Sequence, residues 1–145
     1  MVDSARLWAQ MEQLVVKNGV SLGVLSEDQR PAALALAWAT LPAVPMSEPE
    51  VNGALKAALS GAVRCLATDH VELRRWLVDA RWLVRDGFGR EYRRVAVDQL
   101  MVHTQPWARL WAERSASDWV AEQRDRHEAR RAVRRSAWQG SGQHA

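Results

Sequence analysis

The sequence has little of what disulfide-linked, metal-clustered or membrane-spanning proteins need. It contains a single cysteine, Cys65, so neither an intrachain disulfide nor a cysteine-based metal cluster can form. The apolar residues around Cys65 predict a buried, inert thiol. No apolar run approaches the roughly 20 residues that cross a bilayer, and the first residues lack the basic and apolar regions of a signal peptide. We therefore expect a cytoplasmic protein with no metal site and no membrane partner.

Catalytic motifs are missing as well. The chain has no phosphate-cradling glycine loop, no His-x-x-x-His pair and no serine nucleophile elbow. Its four histidines are scattered along the sequence. The close carboxylates Glu48 and Glu50 lie at a predicted helix start, where capping accounts for them. We expect a protein that is not an enzyme and that uses no cofactor.

Positive charge is scarce in the first part of the chain and concentrated in the second. Residues 1–59 carry a net charge of −2, whereas residues 60–145 carry +5. Every basic residue in the second part is an arginine, the side chain best suited to bidentate binding of phosphate or carboxylate. This distribution favours an acidic partner, although a salt-bridged, solvated surface would have the same composition.

Helical periodicity accounts for most of the chain outside its centre. An apolar stripe predicts a first helix over residues 4–18, and a second helix begins at Ser26 or Pro31. Residues 20–25 alternate weakly, which indicates a short extended segment. One long helix is predicted from residue 104 or 105 to residue 137, followed by a disordered tail at 139–145.

The sharpest signals lie between residues 47 and 95. Ser47 and Glu50 form a capping box that starts a helix, and Thr68 is predicted to cap the next one, which runs to Ala80. Two strand-like runs around Asp86-Gly87-Phe88-Gly89 then predict a β-hairpin. Helix, helix and hairpin in this order predict a winged helix-turn-helix.

The predicted fold class is therefore mainly α (α+β), a winged helix-turn-helix core with flanking N- and C-terminal helices. We divide the chain into an N-terminal helix and connector (1–25), a winged-helix domain (26–95), a long C-terminal helix (96–138) and the tail (139–145).

A helical projection of residues 68–80 separates a core face from an outward face. Leu73, Trp76, Leu77 and Ala80 cluster on the first. The outward face and the hairpin together predict the nucleic-acid-binding residues, which are Thr68, Val71, Arg74, Arg75, Val78, Arg85, Arg90, Arg93 and Arg94. Arginines pair with guanine edges or phosphates, and valine or threonine methyls contact thymine methyls. Arg75 also has Glu72 and Asp79 at ion-pairing distance along the helix, so a purely structural role stays open.

The same stretch resembles a known bacterial family, the domain of unknown function numbered 2087. The resemblance rests on Glu50-Val-Asn52, on Leu73-Arg-Arg-Trp-Leu-Val-Asp79 and on Tyr92-Arg-Arg94 at similar spacing, within residues 26–95. Its members resemble transcription regulators, which implies a regulatory association. The chain departs from the family where it has residues 27–33 instead of a lysine-rich stretch, and where Arg93 replaces an aromatic residue. We interpret Asn52 as fixing the turn between the two helices.

Double-stranded DNA is the predicted partner, and the predicted function is that of a DNA-binding transcriptional regulator. The alternative is a winged-helix protein-interaction module that contacts its partner through the tryptophan-bearing helix. We expect a homodimer, because the first and last helices carry apolar stripes, with an interface at Leu7, Met11, Trp107 and Trp111. Core packing and a small-molecule pocket are the other interpretations of these tryptophans. The arginine-rich residues 124–135 are either a solvated helix end or a phosphate-binding arm.

Overall fold

Six α-helices and three short strands make up the part of the chain that the structure, a computed structural model, describes: residues 3–88 and 90–142, with side chains to 139. The helices are α1 (Ser4–Val15), α2 (Arg30–Thr40), α3 (Glu48–Leu59), α4 (His70–Asp79), α5 (Gln105–Arg109) and α6 (Ala116–Gly142). The strands are β1 (Met46–Ser47), β2 (Leu83–Arg85) and β3 (Glu91–Arg94). This is the mainly α (α+β) class that the sequence predicts. None of the described helices combines the length and apolarity needed to cross a membrane.

Helix α2 lies at the centre of the fold. Seven consecutive residues, 32–38, are buried, so the helix is covered on all sides rather than along one stripe. Four of those seven are alanines, which allow neighbouring backbones to approach closely. Helices α1, α3, α4, α5 and α6 all pack against α2. The flanking helices therefore share one hydrophobic core with the central unit.

The sheet is antiparallel with strand order β1-β3-β2. The predicted hairpin is confirmed, with Leu83 opposite Arg94 and Val84 opposite Arg93. Strand β1 was not expected from the sequence, because a two-residue strand is too short to show a periodic pattern. It pairs Met46 with Tyr92, and both side chains are buried under the sheet.

The predicted capping box at the start of α3 is present. The Glu50 amide donates to the Ser47 hydroxyl at 3.3 Å, and the Ser47 amide donates to the Glu50 carboxylate at 3.2 Å. Of the predicted extended segment at 20–25, only Val20 pairs, as a parallel bridge with Leu66. The remaining residues of this segment form turns and bends rather than a strand, and the Leu22 side chain is buried.

The single long helix predicted from residue 104 or 105 is wrong. Two 3-10 turns, at Val97–Gln99 and Val102–Thr104, precede the five-residue α5, and the chain then breaks before α6 begins at Ala116. Ser115 sits at that break, where its hydroxyl accepts from the Asp118 amide at 3.3 Å. The disordered tail is also misplaced, because α6 continues to Gly142. Residues 143–145 lie outside the described part of the chain.

The four residues predicted to form a dimer interface are core residues of one chain. Leu7, Met11, Trp107 and Trp111 are each no more than 7% exposed. Trp111 packs on Trp8 and Trp119, with ring centroids 5.2 and 5.5 Å apart. The prediction failed because the apolar stripes of α1, α5 and α6 bury one another and leave no apolar seam there for a second copy. Of the three interpretations of these tryptophans, core packing is therefore the correct one.

Arg124, on α6, forms hydrogen bonds with residues at the C-terminal end of α1. Its guanidinium donates to the carbonyls of Val15 and Lys17, at 2.9 and 3.0 Å, and to the Asn18 side chain at 2.7 Å. These acceptors follow the last turn of α1, where carbonyls lack intrahelical partners. Arg124 thus caps α1 from α6.

Candidate nucleic-acid interface

Helix α4 is held with one face in the core. Asp69, rather than the predicted Thr68, is its N-cap, and its carboxylate accepts from the Glu72 amide at 2.8 Å. Leu73 and Leu77 are completely buried. The inward face predicted from the sequence is therefore correct at these two positions, and the orientation of α4 about its axis is fixed.

Two of the five predicted residues of the outward face are exposed. Val71 is 42% exposed, and Arg75 is also exposed. Among the described contacts, Arg75 forms neither of the ion pairs that the sequence allowed, with Glu72 or Asp79. The Glu72 carboxylate instead accepts from the Thr68 hydroxyl at 2.9 Å. Val71 and Arg75 are thus the two predicted contact residues of α4 that are available to a partner, and the carboxylates Glu72 and Asp79 are exposed on the same helix.

Arg74 does not lie on the outward face as predicted. Only 18% of its side chain is exposed. Its Nη1 donates to Asn52 Oδ1 at 2.5 Å and lies 3.3 Å from a Glu48 carboxylate oxygen. The guanidinium also stacks over the Tyr92 ring, 5.5 Å from its centroid. Arg74 therefore holds α4 against α3 and β3. The side chain of Asn52, on α3, accepts a hydrogen bond from this arginine of α4 and does not fix the turn between the helices by a local bond, as the sequence suggested.

The predicted exposure of Thr68 and Val78 on the outward face is also wrong. Both are only partly exposed. Val78 packs against the hydrophobic core, and the Thr68 hydroxyl is engaged by Glu72. The helical projection placed both on the outward face, but a projection does not show where a neighbouring element covers that face.

The hairpin presents three of its four predicted arginines to solvent. Arg85, Arg90 and Arg93 are exposed. The turn between the strands is shaped by Asp86, whose carboxylate accepts from the amides of Phe88 and Arg90 at 3.2 and 2.9 Å. The predicted turn residue Gly89 lies outside the described residues. Strand β2 of this hairpin packs against α4.

Arg94, the fourth hairpin arginine, is structural and not a surface contact. Its Nη1 donates to the Leu41 carbonyl at 2.9 Å, and its guanidinium lies 4.4 Å from the centre of the Trp38 ring. Burial lowers the pKa of Arg94, yet arginine stays charged at neutral pH. A cation at this position complements the negative end of α2. Arg94 thus fastens the hairpin to the central helix.

Sequence reasoning missed Phe88 as a surface residue. Its side chain is 84% exposed at the tip of the hairpin, and the Arg90 guanidinium lies 5.8 Å from its ring centroid. A bulky aromatic between two glycines in a predicted turn was the available signal, since a turn tip has no core to receive it.

The ionisable groups of the described residues show few perturbed pKa values. Hydrogen bonds from Ser47 lower the pKa of Glu50, as expected for a capping carboxylate. Burial raises the pKa of Cys65 to about 11, which confirms the expected buried thiol. Within the described part of the chain, no group of three or more His, Cys, Asp or Glu side chains is arranged to hold a metal ion.

These observations define an α+β unit, running from α2 to β3, whose α4 and hairpin expose both arginines and carboxylates. Residues 26–94 match the model of the family described as an uncharacterized protein conserved in bacteria (DUF2087). The match confirms the resemblance drawn from the Asn52, Arg74 and Tyr92 motifs. Neither a curated protein nor a solved structure matches the chain.

Proposed function

We propose that the unit from α2 to β3 is a winged helix-turn-helix and that the protein is a DNA-binding transcriptional regulator. In this assignment α3 and α4 are the helix-turn-helix, α4 is the recognition helix and the β2–β3 hairpin is the wing. Strand β1, between α2 and α3, closes the sheet against β3. The order helix, strand, helix, helix, hairpin supports the assignment.

The observation that carries the proposal is the set of exposed arginines on α4 and on the hairpin that packs against it. Arg75, Arg85, Arg90 and Arg93 are exposed there, whereas the partly buried Arg74 and Arg94 lock the two elements in place. The backbone segments that carry these arginines are held in place before binding, so little backbone freedom is lost when a partner binds.

Each exposed residue takes a defined part in the proposed mechanism. Arg75 reads a base edge in the major groove, and the methyl groups of Val71 contact a thymine methyl. The hairpin arginines bind backbone phosphates, which orient the protein but carry no sequence information. The protein binds and does not catalyse, and it acts in the cytoplasm where the chromosome of a bacterium lies.

The test measures binding to duplex DNA as a function of salt concentration. Each phosphate contact contributes about −0.9 to the slope of log K against log salt. We expect the Arg85→Ala/Arg93→Ala variant to bind all duplexes more weakly, with a slope shallower by about 2. Arg6→Ala, which removes an exposed charge on α1, is the control and should leave the slope unchanged. Binding by wild type that is absent or independent of salt contradicts the proposal.

The Arg75→Ala variant tests base reading. It should lose discrimination between a selected site and random duplex by about 1–3 kcal/mol while its salt slope changes by less than one phosphate contact. Equal losses on both duplexes would assign Arg75 to the phosphates instead.

A protein-interaction module is the second candidate function. It is favoured by apolar side chains exposed on the same hairpin, Val84 and the tip residue Phe88. The tryptophan-bearing surface that the sequence suggested for this role is buried, so the hairpin takes its place. Binding through apolar contacts should be insensitive to salt, and Phe88→Ala should abolish it while leaving phosphate binding intact.

The homodimer stays a prediction. Its interface must lie outside the buried cluster of Leu7, Met11, Trp107 and Trp111. Sedimentation at tens of micromolar that gives a species of 16.3 kDa would count against it.

A further inference from the structure

The second half of α6 buries none of its described side chains in the hydrophobic core. The first half is anchored by the buried residues Ala116, Trp119, Val120 and Gln123. Beyond Arg124, no side chain described up to residue 139 is buried. Residues 125–142, which we call the α6 arm, span about 27 Å at 1.5 Å per residue.

Positive charge on the arm is confined to one side. At 100° per residue, the five arginines of the arm fall within one half of the helix, together with His127: Arg126, Arg130, Arg131, Arg134 and Arg135. The other half carries the carboxylates of Asp125 and Glu128 among alanine and serine residues. Arginines outnumber carboxylates five to two over residues 125–139, and an anionic partner would neutralise this excess of positive charge.

The arm's arginines are free to exchange partners. Arg126, Arg130 and Arg135 pair with Glu122, Glu12 and Glu128, but these side chains are about half exposed or more. Such pairs contribute little in water. Among the described residues, Arg131 and Arg134 form no ion pair.

The geometry points to the sugar-phosphate backbone of double-stranded nucleic acid as the partner of the α6 arm; we propose that the arm is a second, sequence-independent DNA contact, separate from α4 and the hairpin. A row of arginines spread over about 14 Å of helix matches a continuous polyanion better than a single phosphate group. Guanidinium groups bind phosphate oxygens in a bidentate manner.

The composition of the arm argues against a membrane as the partner. A helix that lies in a lipid surface needs a broad apolar face opposite its cations. In the half opposite the arginines, Val133 is the one large apolar side chain among residues 125–139. The two large apolar residues of the arm, Val133 and Trp138, are exposed singly and do not form such a face.

The experiment compares two full-length variants of equal net charge. The arm variant carries Arg130→Gln, Arg131→Gln and Arg134→Gln. The control carries Arg6→Gln, Arg109→Gln and Arg114→Gln, which are exposed positions outside α6. Both are titrated with a 30-base-pair random duplex between 50 and 300 mM salt, and their helicity is compared by circular dichroism.

The arm variant should lose at least tenfold in affinity near 0.1 M salt, with a salt slope shallower by 2 to 3, because each contact contributes a factor of about 8 there. The control should change less than threefold. A lysine version of the arm variant should recover most of the slope, since the slope counts charges and not side-chain shape. This recovery separates a charge contact from a loss of helix.

Equal behaviour of the arm variant and the control overturns the inference. So does arm-dependent binding to phosphatidylserine vesicles without arm-dependent binding to the duplex. The proposal for α4 is tested separately by the Arg85→Ala/Arg93→Ala variant. Loss of binding in only one of the two variants therefore identifies which surface contacts DNA.

Discussion

The Arg74→Ala substitution tests the brace between α4, α3 and β3. Arg74 was predicted from the sequence to read DNA, but the structure places it inside the protein, where its loss should lower stability before it affects any partner. Its neighbour Arg75 carries the same charge on the same helix and is exposed. The two alanine variants are therefore a matched pair that differs in burial and contacts.

The expected magnitude follows from three contacts. The hydrogen bond from the cation to Asn52 is worth about 1.5–3 kcal/mol. The pair with the half-exposed Glu48 adds about 0.2–1 kcal/mol, and the stacking on Tyr92 adds about 0.5–1 kcal/mol. Because all three share one guanidinium, they do not add fully. We expect the free energy of unfolding to fall by about 3 kcal/mol, whereas Arg75→Ala should change it by at most about 0.5 kcal/mol.

Urea denaturation followed by tryptophan fluorescence measures both variants, since several tryptophans are buried in the core. The melting temperature of Arg74→Ala should fall by about 6–12 °C at 2–4 °C per kcal/mol. An Asn52→Ala substitution made in the Arg74→Ala background should cost much less than it costs alone. Equal stability of Arg74→Ala and Arg75→Ala, together with additive Asn52 effects, would refute the brace.

Three further predictions follow from other contacts. Arg94→Ala should destabilise the protein by about 2–3 kcal/mol, because charged hydrogen bonds and a cation–π contact are lost; unchanged unfolding in urea would contradict this. Cys65 should react with iodoacetamide at pH 8 at least 100-fold more slowly in the native protein than in urea, since burial raises the pKa of its thiol to about 11 and blocks access; equal rates would show it to be accessible. The pKa of Glu50 is lowered from its usual 4.5, so its capping contribution is full above pH 4.5 and is lost as pH falls through the lower folded value. The stability difference between wild type and Glu50→Gln should therefore shrink as pH falls below 4.5, and a difference that does not shrink in acid would rule out the carboxylate as its source.

Local signals in the sequence were sufficient for the central helices and the hairpin. Ser47 and Glu50 lie three residues apart and satisfy each other's backbone amides, so their pattern needs no knowledge of the rest of the fold. The core face of α4 was also predictable, because Leu73 and Leu77 share one side of any helix. The family match over residues 26–94 covers this same region.

The predictions failed where a side chain reaches another element. A helical projection gives the direction of Arg74 and of Val78, but not which neighbouring element stands in that direction. Arginine is long enough to cross to α3 or to the end of α2, as Arg74 and Arg94 do, so an outward direction does not mean exposure. The break before α6 was missed because residues 112–115 contain neither proline nor glycine, although Ser115, whose hydroxyl accepts from the Asp118 amide, is a residue type that starts helices.

The cap that Arg124 places on α1 has a consequence for the order of folding. Arg124 and the Val15 carbonyl are 109 residues apart in the sequence. The Trp8 ring of α1 likewise packs on residues far along the chain, Trp111 and Trp119. During synthesis α1 is made first, yet its aromatic face and its last carbonyls stay open until α6 has been added. The contacts among α3, α4 and the hairpin are shorter in sequence and can form earlier. Helix α1 and the sides of α2 that α5 and α6 cover therefore stay accessible to chaperones and proteases until α6 has been made.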